Sequence, residues 1–332
     1  MRKFFTLFVA ALCCASMFAT EGALPGRFTI NAQGDQIVFS QGNLQATYDG
    51  SSWSWAFAAN QYDYIGNAEA NTAVSGNAID SNSGTVDLFG WSTKATRFGI
   101  HNSTDYSIYS DDFNDWGNNP IINGGNKEKL WRTLTRDEWK YIFVTRPNAA
   151  SLFALGNVNG VNGAILLPDN WNTPVGVTFT ASTTQGLAAQ YGGYYYDNSK
   201  SHFADNTYNA EQWKVMESAG AVFLPCAGMR YGKQVTRVDA NGYYWSATTS
   251  GVYYAFNTSF DANSLDPLNA YNQDGERYFG LSVRLVKDVQ AGEGIENIAT
   301  PTDKARKVMM DGTLYIATPD GKIYNATGVQ VK

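Results

Sequence analysis

Histidine and cysteine are scarce in this sequence, and the side chains that could do chemistry match no catalytic motif in their spacing. His101 and His202 are the only histidines, which excludes a histidine-rich zinc site and leaves a Ser-His-Asp triad only these two. Both lie in polar segments that are typical of surface loops. The sequence therefore predicts no catalytic residue, no metal ligand and no cofactor.

The carboxylates give no clearer signal of chemistry. Asp111, Asp112, Asn114 and Asp115 form the densest group of oxygen ligands, but they lack the EF-hand spacing, which favours a solvated turn. Asp87 lies between apolar neighbours in TVDLFGW, where a partner for a turn at a strand end is favoured over a general acid. A two-carboxylate glycosidase requires no motif, only two acids in one cleft, so that alternative stays open.

Residues 248–276 carry groups that suit recognition better than catalysis. Within them, polar side chains crowd residues 261–276, which lie between two β-patterned runs, 252–260 and 278–286. Such a segment cannot build a core, but it can offer hydrogen bonds and tyrosine rings to a ligand. The predicted ligand contacts are Tyr253, Tyr254, Asn257, Asp261, Asn263, Asn269, Tyr271 and Asn272.

Aromatic residues make up 14% of the chain, and its 20 tyrosines are so clustered that some rings must face solvent. Exposed tyrosine beside Asn and Asp suits sugar stacking or recognition of a protein surface. Tryptophan is instead expected in the core by default. We therefore assign a packing role, and no ligand, to Trp53, Trp55, Trp91, Trp131, Trp139, Trp213 and Trp245.

The N-terminal segment and the net charge limit where the protein can be located and what it can bind. Arg2 and Lys3 precede an apolar run over residues 4–15 and then small residues, which predicts a signal peptide over residues 1–23. We expect an exported protein, extracellular or on the outer cell surface, without a transmembrane segment. A net charge of −6 makes the chain a poor binder of polyanions, so no nucleic acid is expected. After cleavage only Cys226 is left, in an apolar setting typical of a buried thiol.

Short β-patterned runs, among them QIVFS at 36–40, LQATY at 44–48 and VTFT at 177–180, recur through residues 24–287 without a seam and predict strands. Two capping boxes, at residues 135–138 and 209–212, predict two short helices. Residues 288–303 have the composition of a linker, and residues 304–332 give hairpin signals with turns expected at residues 311–312, 320–321 and 327–328. The prediction is an α+β domain of many short antiparallel strands, two short helices and long loops, followed by a small C-terminal β-appendage.

Four short motifs occur in a telling order: WRTLTRDEW at 131–139, AGMR at 227–230, GYYWSAT at 242–248 and GLSVRLV at 280–286. In this order they resemble the C-type-lectin-like folds of the formylglycine-generating-enzyme type. They are more closely similar to the exported bacterial domains called Fibrobacter succinogenes major paralogous domains. The resemblance covers residues 128–287, with residues 24–127 as an N-terminal extension, and it implies a C-type-lectin-like fold.

The chain departs from these relatives at the residues that define their chemistry. The copper-dependent oxidases of this fold use a pair of cysteines, whereas the exported chain has a single cysteine. Their reaction should therefore be absent. The strings Glu-Pro-Asn, Gln-Pro-Asp and Trp-Asn-Asp, which hold calcium in sugar-binding C-type lectins, do not occur. The resemblance therefore implies neither the oxidase reaction nor calcium.

The C-terminal segment 307–332 resembles the sorting modules of the type IX secretion pathway in its runs GTLYI, GKIYN and GVQVK. That likeness implies contact with secretion machinery. The segment WSAT, a variable polar stretch and SVR also resemble the ligand-binding variants diversified by retroelements. We expect a non-enzymatic recognition protein for glycan or protein ligands. The alternatives are a secreted polysaccharide hydrolase or lyase and a structural surface protein.

Overall fold

The computed structural model describes residues 21–66, 69–74, 83–186, 188–190, 193–195, 200–269, 275–289, 306–310, 313–317, 322–325 and 331. The chain divides into two compact units, residues 1–289 and residues 290–332. The described part is α+β, with mostly antiparallel strands in several small sheets, as predicted. Most of the predicted signal peptide, residues 1–20, lies outside the described residues.

The strands of the first unit are short, and most alternate buried and accessible side chains. In chain order they are β1 (Ala23–Thr29), β2 (Gln36–Ser40), β3 (Leu44–Tyr48), β4 (Trp53–Phe57), β5 (Gly84–Val86), β6 (Arg132–Thr133), β7 (Phe153–Val158), β8 (Val161–Leu166), β9 (Ala188–Gln190), β10 (Gly193–Tyr195), β11 (Thr207–Tyr208), β12 (Val222–Pro225), β13 (Met229–Tyr231), β14 (Gln234–Thr236), β15 (Gly242–Thr249), β16 (Ala255–Asp261), β17 (Ser264–Asn269) and β18 (Leu285–Asp288). The strand expected at residues 177–180 is absent from the structure, so that prediction was wrong.

The described strands of the first unit form five sheets. Their orders are β1-β2-β18-β6, β15-β16-β17-β10-β9, β11-β7-β8-β12, β4-β3-β5 and β13-β14, and only the β11–β7 pair is parallel. The first of these sheets joins the two ends of the unit, because β18 pairs with both β2 and β6. Residues 24–127 and 128–287 therefore share one sheet.

Four α-helices lie in the described residues, two more than predicted: α1 (Glu69–Ala73), α2 (Arg136–Lys140), α3 (Ser182–Gln185) and α4 (Ala210–Ser218). Both predicted capping boxes are confirmed, the first between Thr135 and Glu138 and the second between Asn209 and Gln212. Helices as short as α1 and α3 leave no periodic pattern in a sequence, which is why they were missed. No helix in the described part of the chain is long and apolar enough to cross a membrane.

The core of the first unit consists of three clusters of buried apolar side chains. Tryptophans are the largest of these buried side chains. Those almost wholly buried, as predicted, are Trp91, Trp139, Trp213 and Trp245. Trp53 departs from that expectation because its side chain is only partly buried. Trp53 packs at the edge of the second cluster, where part of its side chain stays accessible at the surface.

The second unit, as far as it is described, is a three-stranded antiparallel sheet. Its strands are β19 (Arg306–Met310), β20 (Thr313–Ala317) and β21 (Ile323–Asn325), in the order β19-β20-β21. The β-appendage expected from the sequence is thus present. The predicted turns at residues 311–312, 320–321 and 327–328 lie outside the described residues.

Candidate functional site

The eight contact residues expected from the sequence do not form one surface. Strands β16 and β17 pair as a hairpin whose turn lies at Asp261 and Ser264, whereas Tyr253 and Tyr254 precede the other end of β16. Strand β16 is seven residues long. Its two ends are therefore about 20 Å apart at about 3.4 Å per residue, and a small ligand cannot reach both.

At the hairpin turn, the predicted residues are occupied with each other. The Asp261 carboxylate accepts a hydrogen bond from the Asn263 N–H (2.8 Å) and one from the Ser264 hydroxyl (3.0 Å). The Asn263 amide, in the orientation that its neighbours require, donates to the Lys200 carbonyl oxygen (2.7 Å). These contacts are the local bonds by which Asp and Asn stabilise turns, so this end of the hairpin is structural.

The remaining predicted contacts include one clear correction. Asn257 is fully buried within the sheet, opposite Trp245 on β15, and its side chain cannot touch a ligand at the surface. The alternation along β16 places it on the inward face, which composition alone did not show. Asn269 pairs with Asn257 through the β16–β17 ladder. Tyr271 and Asn272 lie outside the described residues.

Tyr253 belongs to a group of four tyrosine rings, Tyr106, Tyr231, Tyr253 and Tyr278, here called the tyrosine patch. The Tyr106 ring packs edge-on against Tyr253 and against Tyr278, each at 4.8 Å between centroids, and Tyr231 lies 5.8 Å from Tyr278. Tyr231 and Tyr253 are about half exposed, at 50% and 53%. The sequence pattern missed the other three tyrosines of the patch because they come from segments far from residue 253.

Arg277 fastens the loop that carries Tyr253. Its guanidinium lies 4.2 Å from the centre of the Trp91 ring and donates to the carbonyl oxygens of Tyr109 (2.7 Å) and Gly251 (2.8 Å). It also bonds the Thr249 hydroxyl. Burial lowers the pKa of Arg277, and the hydrogen bonds from its guanidinium to carbonyl oxygens compensate for the lost water. The loop that carries Tyr253 in the tyrosine patch is therefore held in place.

A second surface feature, which the sequence did not reveal, is an open cleft of about 430 Å³. This volume lies within the range of about 300–1,000 Å³ that is usual for ligand pockets. We call it the tryptophan cleft, and its walls combine aromatic rings, cations and amides. The lining residues are Trp53, Trp55, Lys94, Arg97, Phe98, Ile100, Asn114 and Asn119.

The aromatic wall of the cleft follows from the alternation of β4. Trp53 and Trp55 are two residues apart on one strand, so their side chains point to the same side of the sheet. The Trp55 ring stacks on Phe89 at 5.7 Å and meets the edge of Phe98 at 5.6 Å. Trp53 and Phe98 are both partly exposed, so the cleft offers accessible ring faces. Both tryptophans thus do more than fill the core.

The cationic wall is a turn that holds strained backbone. Arg97, Phe98 and Gly99 have φ values of +49°, +65° and +74°, a left-handed run that is costly for two residues with side chains. The Thr96 hydroxyl accepts hydrogen bonds from the N–H groups of Thr93 (2.9 Å) and Gly99 (3.2 Å). These bonds hold the turn so that Lys94 and Arg97 are exposed.

Close packing behind the turn fixes its position. A Cβ atom at Gly99 would collide with the carbonyl oxygen of Gly90, and the Gly90 N–H donates to the Gly99 carbonyl at 2.9 Å. The Trp116 indole N–H donates to the Phe98 carbonyl oxygen at 2.7 Å. Only glycine fits this approach at a positive φ, so the turn is built into the core.

The amides of the cleft keep part of their hydrogen-bonding capacity. The Asn114 oxygen accepts from the Asn118 amide (3.0 Å), and the Asn119 amide nitrogen donates to the Trp116 carbonyl (2.9 Å). Among the described residues, nothing pairs with the Asn114 nitrogen or the Asn119 oxygen, and neither Lys94 nor Arg97 has a side-chain partner. Donors and an acceptor are thus available to a ligand.

The groups first considered for catalysis have structural roles. Asp87 is fully buried and accepts hydrogen bonds from Ile65 and Asn71. His202, expected on the surface, is instead 4% exposed and its Nδ1 lies 2.8 Å from Asp205. Cys226 is buried as predicted, and desolvation raises the pKa of its thiol. Among the described residues, no three His, Cys, Asp or Glu side chains are grouped so that they could hold a metal ion.

Comparisons of the chain with protein-family models, curated proteins and solved structures find no match. The resemblances drawn from the sequence motifs therefore stay predictions, and the function has to be argued from the two surface features themselves.

Proposed function

We propose that the protein is a non-enzymatic recognition protein that binds a glycan in the tryptophan cleft. The observation that carries the proposal is the combination of accessible ring faces with unused amide groups in one cavity. Sugars present an apolar face of C–H groups and a rim of hydroxyls. An aromatic wall with a few oriented polar groups is complementary to both.

The cleft is also pre-formed, which favours binding. The turn at Arg97 and Phe98 is held by Thr96 and by the tight contact of Gly99 with Gly90. A site that is rigid before binding loses less conformational entropy when the ligand arrives. Strained backbone at such a position is typical of functional sites.

The hydrolase alternative has less support at this cleft. A glycosidase needs two carboxylates on either side of the scissile bond, and none of the eight lining residues is acidic. The buried carboxylate of Asp87 accepts hydrogen bonds from Ile65 and Asn71 and lines no part of this cleft. Binding without turnover is therefore the favoured role, ahead of the hydrolase or lyase and of a purely structural surface protein.

A glycan-binding screen followed by titration calorimetry tests the proposal. Trp53→Ala should lower the affinity for any glycan that binds by about tenfold or more, because a lost stacking ring costs about 1–2 kcal/mol. Trp171→Ala is the matched control, since Trp171 is also partly exposed but packs on the third core cluster. Unchanged binding by Trp53→Ala, or release of sugar from the ligand, would overturn the proposal.

The tyrosine patch supports a second candidate function, recognition of a protein. Two half-exposed tyrosines over a ring cluster, with Val252 at 60% exposure beside them, form the kind of amphipathic surface that protein interfaces use. Pull-down of a partner by the wild-type chain and its loss in Tyr231→Ala/Tyr253→Ala would support this function. Partner binding that survives the double substitution would exclude the patch.

The proposed location is outside the cell, with residues 1–23 as the export signal and residues 304–332 as an address for secretion machinery. Mass spectrometry of the exported protein should find an N-terminus near residue 24. Deletion of residues 304–332 should leave the protein inside the cell envelope without unfolding the first unit, because the two units are separately compact. Secretion that is unaffected by the deletion would refute the sorting role.

A further inference from the structure

We infer that the tryptophan cleft selects sugars that carry a negative charge, a carboxylate or a sulfate ester on the ring that stacks in it. This inference rests on the proposed glycan function and goes beyond it by naming the ligand class. It starts from the charge of the cleft, which is opposite to that of the chain. Lys94 and Arg97 are the only charged residues among the eight that line it, although the whole chain has a net charge of −6.

Neither cation is neutralised by the protein. In the ranges that the structure describes, the Lys94 and Arg97 side chains form no ion pair and no hydrogen bond. Asp115, next to the lining residue Asn114 in the chain, accepts hydrogen bonds from Gly117 and Thr133 instead. Two exposed cations of one turn are therefore available to a ligand anion.

The hydrogen-bonding groups of the cleft are unbalanced toward donors. Lys94, Arg97 and the free nitrogen of Asn114 can only donate, whereas the Asn119 oxygen is the one unused amide acceptor. A neutral sugar hydroxyl can both donate and accept, and it would leave most of these donors without a strong acceptor. Carboxylate and sulfate oxygens only accept, and their bonds to Lys and Arg are about twice as strong as neutral ones.

The backbone places charge and ring side by side. Arg97 and Phe98 are consecutive, both at positive φ, and the Arg97 N–H approaches the Lys94 carbonyl at 3.4 Å, which closes one turn around both cations. A residue without strain, such as glycine, would suit Arg97's φ better. The strained backbone thus presents the Arg97 guanidinium and the Phe98 ring on the same wall of the cleft. This arrangement suits a sugar ring that carries an acidic group.

The overall charge limits which acidic ligands fit. A long polyanion would be repelled by the acidic surface of the chain, as the sequence already indicated for nucleic acid. A short acidic oligosaccharide or a chain end exposes only one or a few charges, within reach of the two cations. Local attraction then dominates because charges beyond about 8–10 Å are screened at physiological salt.

Titration calorimetry with matched ligand pairs tests the inference on the full chain. One pair is a uronic-acid oligosaccharide and its carboxyl-reduced form; the other is a sulfated oligosaccharide and its desulfated form. The wild type should bind at least one charged form about tenfold tighter than its neutral partner, and raising the salt from about 50 to 500 mM should weaken that preference. The pair that shows the preference identifies the anion.

Variants separate this inference from the proposed function. Lys94→Gln/Arg97→Gln should remove the preference by weakening the charged form about tenfold more than the neutral one, while Trp53→Ala should weaken both forms alike. Lys214→Gln/Lys233→Gln, two exposed lysines outside the cleft, removes the same charge and should change neither. The charge-conserving Lys94→Arg/Arg97→Lys should keep the preference, which shows that the turn still folds.

Two results would overturn the inference in different ways. Equal affinity of the wild type for the charged and neutral forms would reject selection of anions and leave the glycan function standing. Binding of none of the four oligosaccharides would reject this inference, and the proposed function would fail with it only if the wider glycan screen also finds no ligand.

Discussion

Replacing Asp87 by Asn should change how the stability of the first unit depends on pH. The Asp87 carboxylate is fully buried and accepts hydrogen bonds from the Ile65 N–H (2.6 Å) and the Asn71 amide (2.8 Å). Burial raises the pKa of Asp87 from 3.8 to about 6, because desolvation outweighs the opposing effect of those hydrogen bonds. No ion pair in the described part of the chain offsets the burial.

The sign of the effect follows from the direction of that shift. Between about pH 4 and pH 6 the folded protein keeps the Asp87 proton, whereas the unfolded chain, with an ordinary pKa near 3.9, has released it. Protonation thus favours the folded state at low pH, and this contribution is lost as the pH rises toward 6. A shift of about two pKa units corresponds to about 3 kcal/mol of unfolding free energy.

Urea unfolding of the wild type and Asp87→Asn at about pH 4, 5, 6 and 7 measures this contribution. The stability of the wild type relative to the variant should fall by about 2.5 kcal/mol over that range, most of it between pH 4 and pH 6, and level off toward pH 7. Asp49→Asn is the control, because hydrogen bonds from Ser52 and Ser51 lower the pKa of the exposed Asp49 to about 2, so its contribution is lost only as the pH falls below about 4 and should stay nearly constant over this range. A difference between wild type and Asp87→Asn that stays constant with pH would refute the reasoning.

Three further substitutions test the structure around the two surfaces. Arg277→Met should cost about 3 kcal/mol, since buried carbonyls lose a charged donor, and hydrogen exchange of the loop near residue 251 should speed up; unaltered exchange would contradict its role as a fastener. Gly99→Ala should cost about 3 kcal/mol or more in denaturant unfolding because of the approach to Gly90, against about 1 kcal/mol for Gly34→Ala, where φ is +87° but space is open. Equal losses would mean that the approach is loose. Arg97→Asn should raise the free energy of unfolding by roughly 0.5–1 kcal/mol, because Asn tolerates a positive φ better than Arg, and should weaken the binding of acidic sugars about tenfold. A less stable variant would argue against backbone strain at this position.

Local features of the fold could be predicted from the sequence because they depend on neighbours in the chain. The capping boxes at residues 135–138 and 209–212 are made by side chains and backbone three residues apart, so spacing alone identifies them. Alternation identified β2 (Gln36–Ser40) and β3 (Leu44–Tyr48) in the same way. The run at 177–180 failed because nothing pairs with it in the structure, and a strand needs a partner.

The predicted binding segment shows where local reasoning stops. Composition marked residues 248–276 as polar, but composition does not say which face of a strand a side chain occupies or how far a hairpin extends. The β16–β17 pairing buried Asn257 and put Tyr253 and Asp261 at opposite ends of β16, a strand about 20 Å long. Tyr253 instead shares a surface with tyrosines from distant segments.

The sequence by itself determined the α+β class, the starts of α2 and α4, strands such as β2 and β3, and the burial of Cys226, because each follows from local pattern and hydrophobicity. Only the tertiary structure decided the tryptophan cleft. Trp53 on β4, the strained turn at Arg97 and the amide of Asn114 come together through the β3–β4 ladder and the contacts behind Gly99. Such long-range packing leaves no periodic trace in the chain, so the cleft could be found only where the folded elements meet.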